Sequence, residues 1–211
     1  GDQGLNHGGR GTVAPKRFET EERAKKCMDT IVMPTLKAMK GEGTPFKGCL
    51  YFGLMLTPAG PKVIEYNCRF GDPETQVVLP LMESDLLEAM LACTEGRLQP
   101  ETVRFGTGSA ACVVLASPGY PGSYPKGLPI TGLEAPEVRA ENVDVYFAGV
   151  GEQNGQLVTG GGRVLGVTAT GDTLRDALTA AYLAAGRIKF DGVHYRKDIG
   201  KRALEAVESK Q

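Results

Sequence analysis

Glycine is the feature that most constrains how this chain can fold. It occupies 29 of 211 positions, about twice the ~7% usual in globular chains. The glycines follow no fixed period, which excludes a collagen-like rod. They gather instead at Gly8-Gly9-Arg10-Gly11, Gly41-Glu42-Gly43 and Gly160-Gly161-Gly162. Clusters of this kind make tight turns, or let backbone come close to a ligand, because no Cβ stands in the way.

The rest of the composition narrows the class. A chain of 211 residues makes one large domain or two small ones and can bury a sizeable core. No apolar run approaches the roughly 18 residues of a membrane span, and the start carries no basic-then-apolar signal; no membrane partner is expected. Lys and Arg number 24 against 25 Asp and Glu, for a net charge of −1. That balance argues against a nucleic-acid partner, which a basic face would attract. The five cysteines, Cys27, Cys49, Cys68, Cys93 and Cys112, form no CxxC pair and are odd in number. They argue against a disulfide framework or zinc ribbon and point to a reducing, cytoplasmic compartment. His7 and His194 have no local partner pattern and receive no role.

Periodicity places the elements. Residues 1–18 read as loop. Apolar positions from Ala24 to Met39 recur at three- and four-residue steps and predict a helix over 20–39, kinked at Pro34 and stopped at Gly41. Tyr51–Thr57 and Pro61–Asn67 predict a hairpin about Pro58-Ala59-Gly60. Asp72-Pro73-Glu74 predicts a helix start with Asp72 as N-cap, and Ser84-Asp85 starts another helix that ends at Gly96. Ser109–Ser117 is a strand, and 118–136 is loop. Val143–Gly149 and Gln156–Thr159 predict a second hairpin about Asn154-Gly155. Arg163–Ala169 is a strand and Thr173–Ile188 a helix. Composition shifts near residues 100–108, and a subdomain boundary is placed there.

The strongest chemical candidate is the run Lys62-Val63-Ile64-Glu65-Tyr66-Asn67-Cys68-Arg69. Strand alternation puts Glu65, Asn67 and Arg69 on one face, with Ile64 and Tyr66 on the other. A carboxylate and an amide oxygen two residues apart are hard ligands of the kind Mg²⁺ accepts beside substrate phosphates. A neighbouring guanidinium can grip a phosphate or carboxylate in bidentate fashion. Taken alone, the same pattern is also the polar face of an ordinary half-exposed strand. The loop Asn6-His7-Gly8-Gly9-Arg10-Gly11 can form an anion-binding nest or be a simple turn. Asp72 and Glu74 can contact a substrate amine or merely cap a helix. No phosphate loop of the G-x-x-x-x-G-K-[ST] type, G-x-S-x-G elbow or strand-borne G-x-G-x-x-G occurs.

In order along the chain, GDQGLNHGGRG, the stretch 43–86 that contains EYNCRFGDPETQ, GGRVLGVTATGDTLRDAL and IKFDGVHYRKDIGKRAL resemble the phosphoribosylamine–glycine ligase family, also called glycinamide ribonucleotide synthetases. The similarity runs over about residues 1–203. The resemblance implies an α+β fold: residues 1–104 as the carboxyl-terminal portion of an ATP-grasp domain, antiparallel sheet with helices, and residues 105–211 as a small mixed α/β subdomain. It implies ATP-dependent ligation of glycine to 5-phosphoribosylamine in purine biosynthesis, with ATP as co-substrate and Mg²⁺ or Mn²⁺ as the metal. It implies Glu65 and Asn67 as metal ligands, Arg69 as the catalytic residue that positions the transferring phosphoryl group, and Asn6, Gly8, Gly9 and Asp72 as substrate-binding residues. It also implies that the amino-terminal half, with the lid lysine and adenine-holding hinge, lies outside this chain, which would be a partial enzyme inactive alone. The family's loop reads N-T-G-G-M-G-A-Y, where this chain has His7 and Arg10 in place of Thr and Met. Two other readings stay open: an ATP-grasp ligase for a different amine or acid, and a non-catalytic module that binds a partner chain.

Overall fold

The computed structural model describes residues 9–15 and 21–208. The chain divides into two compact units, each taken over its described residues: Gly1–Lys16 with Asp72–Leu81 and Gly106–Gln211, and Arg17–Gly71 with Met82–Phe105.

The first unit is built on a four-stranded antiparallel sheet in the order β1 (Gly11–Ala14), β4 (Ser109–Ala116), β8 (Arg163–Gly171), β5 (Val143–Phe147). The sequence of β4, Ser-Ala-Ala-Cys-Val-Val-Leu-Ala, does not alternate, and all of it is buried. An unbroken apolar strand of this kind has both faces covered. Ala110, Cys112 and Val114 pack with Val77 of α3 (Thr75–Val78) and Leu81 of the 3₁₀ turn Leu79–Leu81. Alternation sends Ala111, Val113 and Leu115 to the opposite face, and α5 (Leu174–Arg187) packs on β4 and β8 through Leu174, Ala177, Leu178, Ala181, Ala184 and Ala185. Its small residues let the helix approach the sheet closely. A capping box starts it: the Asp176 amide donates to Thr173 Oγ1, and the Thr173 amide donates to Asp176, satisfying two otherwise orphaned donors. Burial at the sheet centre pushes the Cys112 thiol up to about 11. Helix α6 (Lys201–Glu208) follows near the end of the chain.

In the second unit, α1 (Glu21–Cys27) runs through a π-helical segment, Met28–Val32, into α2 (Met33–Gly41). The expected helix is therefore present, and Pro34 sits in the first turn of α2. There its missing N–H falls beside the widened ladder rather than inside a regular one. The hairpin β2 (Tyr51–Thr57) and β3 (Gly60–Asn67) follows. Helix α4 (Leu86–Glu95) has Asp85 as N-cap, accepting from the Glu88 amide at 3.0 Å, and ends on Gly96 at φ 73°.

The structure corrects the sequence reading in three places. Gly11–Ala14 is a strand rather than loop, paired with Ala110–Val113 of β4. Its single buried apolar residue, Val13, carries no period to detect. Asn154-Gly155 does turn a hairpin, but between β6 (Val150–Gln153) and β7 (Gln156–Thr159). β5 pairs with β8 instead, because the chain breaks at Ala148-Gly149, whose amides bond Val164 and Arg163 carbonyls. Asp72 is not an N-cap: residues 72–74 form a turn and α3 begins at Thr75. Its carboxylate is drawn away by Arg163 and Gln76.

Leu165 in β8 is fully buried, whereas Thr173 only caps α5. Leu165→Ala should cost ~2–5 kcal/mol and Thr173→Ala about 1 kcal/mol. Chemical denaturation of the two variants is expected to rank them in that order.

Candidate active site

The hairpin carries Glu65 and Asn67, the expected metal ligands. Phe52 and Tyr66 pair across the strands edge to face, with ring centroids 5.3 Å apart. The Tyr66 hydroxyl lies 3.4 Å from Thr35 Oγ1 of α2. This face of the hairpin therefore looks toward the helix. Tyr51, Gly53, Glu65 and Asn67 fall on the other face, with Gly53 opposite Glu65 and Tyr51 opposite Asn67. The register then skips a residue: Leu54 pairs with Val63, leaving Ile64 as a one-residue bulge immediately before Glu65. Ile64, expected to alternate regularly with Tyr66, sits in this irregularity instead.

Asn67 Nδ2 donates to Glu65 Oε1 at 3.1 Å, and Arg69 NH2 donates to Asn67 Oδ1 at 3.3 Å. Arg69 NH1 also donates to the Phe70 carbonyl at 2.8 Å, which holds the guanidinium near the strand end. Glu65 and Arg69 are exposed and Asn67 is half-buried. The three side chains thus form one solvent-facing chain of carboxylate, amide and guanidinium.

Glu65 and Asn67 fit a hard divalent cation. They offer a carboxylate and an amide oxygen on adjacent same-face positions, already close enough to hydrogen-bond each other. Among the described residues no group of three His, Cys, Asp or Glu side chains converges on a metal-sized space. Mg²⁺ needs no such cage, since it is commonly held by one or two protein ligands together with phosphate oxygens and water.

Of the other expected site residues, Gly9 and Asp72 lie in the first unit. Asn6, His7 and Gly8 fall outside the described residues. Gly9 packs so closely on the ring of Pro73 that a Cβ there would collide with Pro73 Cδ. Asp72 is held twice by Arg163: NH2 reaches its Oδ2 at 2.9 Å and NH1 its carbonyl oxygen at 3.0 Å. Gln76 Nε2 donates to Asp72 Oδ1 at 2.9 Å. Gly9 and the Asp72-Pro73 turn are thus neighbours, and the structure ties Asp72 to Arg163. The sequence marks Arg163 only as the strand entry after Gly160-Gly161-Gly162; its contact with Asp72, 91 residues away, has no local signal.

Arg10 has turned inward. Only 9% of it is exposed, its Nε is buried without a hydrogen-bond partner, and its guanidinium lies 5.9 Å over the Tyr120 ring. Burial lowers its pKa, Tyr120 offsets part of this, and the nearby Arg196 lowers it further. Arg196 itself chelates Asp198 through two 2.7 Å bonds, which hold that carboxyl well below the usual carboxylate range.

Two family models match the chain. The phosphoribosylglycinamide synthetase ATP-grasp (A) domain covers residues 1–75 and the C domain of the same synthetase covers residues 110–202. The chain is 47% identical over 206 residues to the phosphoribosylamine–glycine ligase of Synechocystis sp., covering 97% of this chain and 49% of that protein. The chain belongs to the phosphoribosylglycinamide synthetase family. It is 47% identical over 209 residues to the human trifunctional purine biosynthetic protein adenosine-3, matching 99% of this chain and 20% of that one. Against the crystal structure of the Thermotoga maritima phosphoribosylamine–glycine ligase the TM-score is 0.82 at 40% identity, over 94% of this chain and 48% of the other. The biotin carboxylase domain of Hydrogenobacter thermophilus 2-oxoglutarate carboxylase aligns with TM-score 0.62 at 19% identity, over 92% of this chain and 45% of that one, a likeness of fold alone. The fold is that of the ATP-grasp enzymes. The chain spans about half the length of the ligases it matches.

By the family resemblance, Arg10 takes the place of a Met. Among the described residues Arg10 has no acidic partner; a buried charge left so is costly, and apolar replacement of buried charges often stabilises by ~1–4 kcal/mol, of which the contact with Tyr120 offsets about 1 kcal/mol. Arg10→Met in the full-length protein should therefore raise the melting temperature by a few degrees. A lower melting temperature would show that the guanidinium is compensated in the native state.

Proposed function

We propose that this chain is the carboxyl-terminal half of a phosphoribosylamine–glycine ligase. Residues 1–104 close the ATP-grasp domain and residues 105–211 form the carboxyl-terminal subdomain. The reaction joins glycine to 5-phosphoribosylamine in the cytoplasm, with ATP as co-substrate. The observation that carries the proposal is the continuous Glu65–Asn67–Arg69 side-chain relay at the end of β3, inside a segment matched by the family's ATP-grasp model.

The chemistry follows from charge. A glycine carboxylate is a poor acyl donor until its oxygen is phosphorylated to a mixed anhydride. Transfer of the terminal phosphoryl group of ATP to that oxygen breaks the bond to ADP and gives glycyl phosphate. The amine of phosphoribosylamine then attacks the acyl carbon, the C–O bond to phosphate breaks, and inorganic phosphate leaves, taking up the proton the nitrogen gives up as the amide forms. Glu65 and Asn67 would hold Mg²⁺ or Mn²⁺, which when bound neutralises charge on the phosphate oxygens. Arg69 is the third member. Its planar donors match two oxygens of the migrating phosphoryl group, and its bond to Asn67 fixes it beside the metal ligands. Gly9 and Asp72, together with Asn6 and Gly8, are proposed as substrate-binding residues.

The remaining half of the ligase is the proposed partner. The second unit leaves Met55, Ile64, Tyr66 and Leu87 between 49% and 64% exposed. The proposed partner would cover part of this apolar surface.

Glu65→Ala in the full-length ligase is expected to lower Mg²⁺-dependent turnover by roughly a hundredfold or more, since such a metal contributes several kcal/mol to transition-state stability. Circular dichroism should stay at the parental value. Turnover close to parental at saturating Mg²⁺ would remove Glu65 from the metal site.

A further inference from the structure

Gly53 lies in the middle of β2, in the apolar run Tyr-Phe-Gly-Leu-Met-Leu-Thr. A glycine weakens a strand interior and usually marks a bulge or a close approach. Here it marks both. Gly53 is the cross-strand partner of Glu65, and the register shift falls immediately after it. A Cβ built on Gly53 would stand 2.8 Å from Glu65 Cγ and 3.6 Å from both Cδ and Oε1. The stem of Glu65 therefore occupies the space a side chain at 53 would fill. Directly opposed strand residues normally hold their Cβ atoms ~4.5–5.5 Å apart, with side chains standing off the sheet. Glu65 instead lies down across β2, with Oε1 turned to meet the Asn67 amide at 3.1 Å.

The obstruction is not one that Glu65 could relieve cheaply. Cγ is the second atom of the side chain, so moving it means changing χ1 and swinging the whole carboxylate. The bulge at Ile64 works in the same direction, because an extra residue twists its strand and re-aims the next side chain. We propose that Gly53, acting with the Ile64 bulge, is a positioning residue for the Glu65 carboxylate: its missing side chain is what lets Glu65 lie beside Asn67 as a ligand pair for a divalent cation. This rests on the reading of Glu65 as a ligand. Gly53 itself touches neither metal nor substrate.

The test is a double-mutant cycle in the full-length protein with Gly53→Ala, Glu65→Ala and the double variant. Two readouts are followed: binding of Mn²⁺ in the presence of ADP, by loss of the free-ion electron paramagnetic resonance signal, and thermal unfolding without metal. Positioning groups around metal ligands typically contribute on the order of 10–100-fold in affinity. Gly53→Ala should raise the Mn²⁺ dissociation constant by about tenfold and lower the melting temperature. In the Glu65→Ala background Cγ is gone, so adding a methyl at 53 should leave both readouts unchanged or raise the melting temperature slightly. Additive effects in the cycle would overturn the proposal, since Gly53 would then act on the hairpin and not through Glu65. Parental Mn²⁺ affinity in Gly53→Ala, with affinity lost in Glu65→Ala, would also overturn it while sparing the ligand reading. Parental affinity in Glu65→Ala would remove the ligand reading, and the proposal with it.

Discussion

The first unit depends on the complete burial of one strand. β4 lies between β1 and β8, takes α3 on one face, and is packed by α5 together with β8. Nothing polar could stand at its centre without a partner. That requirement accounts for the run Ala110–Ala116, for the alanine-rich contact face of α5, and for a cysteine used as a small apolar residue. It also explains why strands as distant in sequence as β1 and β8 belong together. Each supplies backbone hydrogen bonds to an edge of β4 that would otherwise be buried unsatisfied.

The hairpin of the second unit divides its work between its two faces. The Phe52–Tyr66 face packs toward the α1–α2 helix and fixes the ribbon. The Glu65–Asn67 face stays accessible. Such separation is possible because alternation lets one strand be structural and functional at once. The irregularities in this hairpin, the bulge at Ile64 and the glycine at 53, lie next to the candidate metal ligands. Departures from regular pairing commonly gather where a side chain must be aimed.

The polar contacts of the first unit show a different economy. Asp72 had the appearance of a helix cap in sequence, yet its carboxylate serves as the anchor for Arg163 and Gln76. Arg10, which looked like a charge added to a substrate loop, is buried over Tyr120. In both residues the side chain is drawn to a partner from a distant part of the chain. Local spacing does not reveal such partners.

Sequence alone determined the elements that carry their own signal. The α1–α2 and α5 helices follow from apolar spacing, α4 from Asp85 and Gly96, β4 from its unbroken apolar run, and the β2–β3 hairpin from β-prone runs about Pro58-Ala59-Gly60. Glu65 and Asn67 were legible as same-face neighbours because strand parity is a property of consecutive residues, whereas Arg69 lies past the end of β3 and joins them through its bond to Asn67; EYNCRFGDPETQ with its companion segments carried the family resemblance. Tertiary structure alone decided the rest. Strand β1 exists because β4 offers it an edge, and β5 pairs with β8 rather than with its sequence neighbour. Asp72 meets Arg163, and Gly53 clears the path of Glu65, only once separate stretches of backbone have been brought side by side. The physical reason is common to all of these: propensity, capping and alternation act over a few residues, whereas hydrogen-bond satisfaction at a sheet edge, burial of a charge and collision with a Cβ depend on neighbours that the linear sequence does not place.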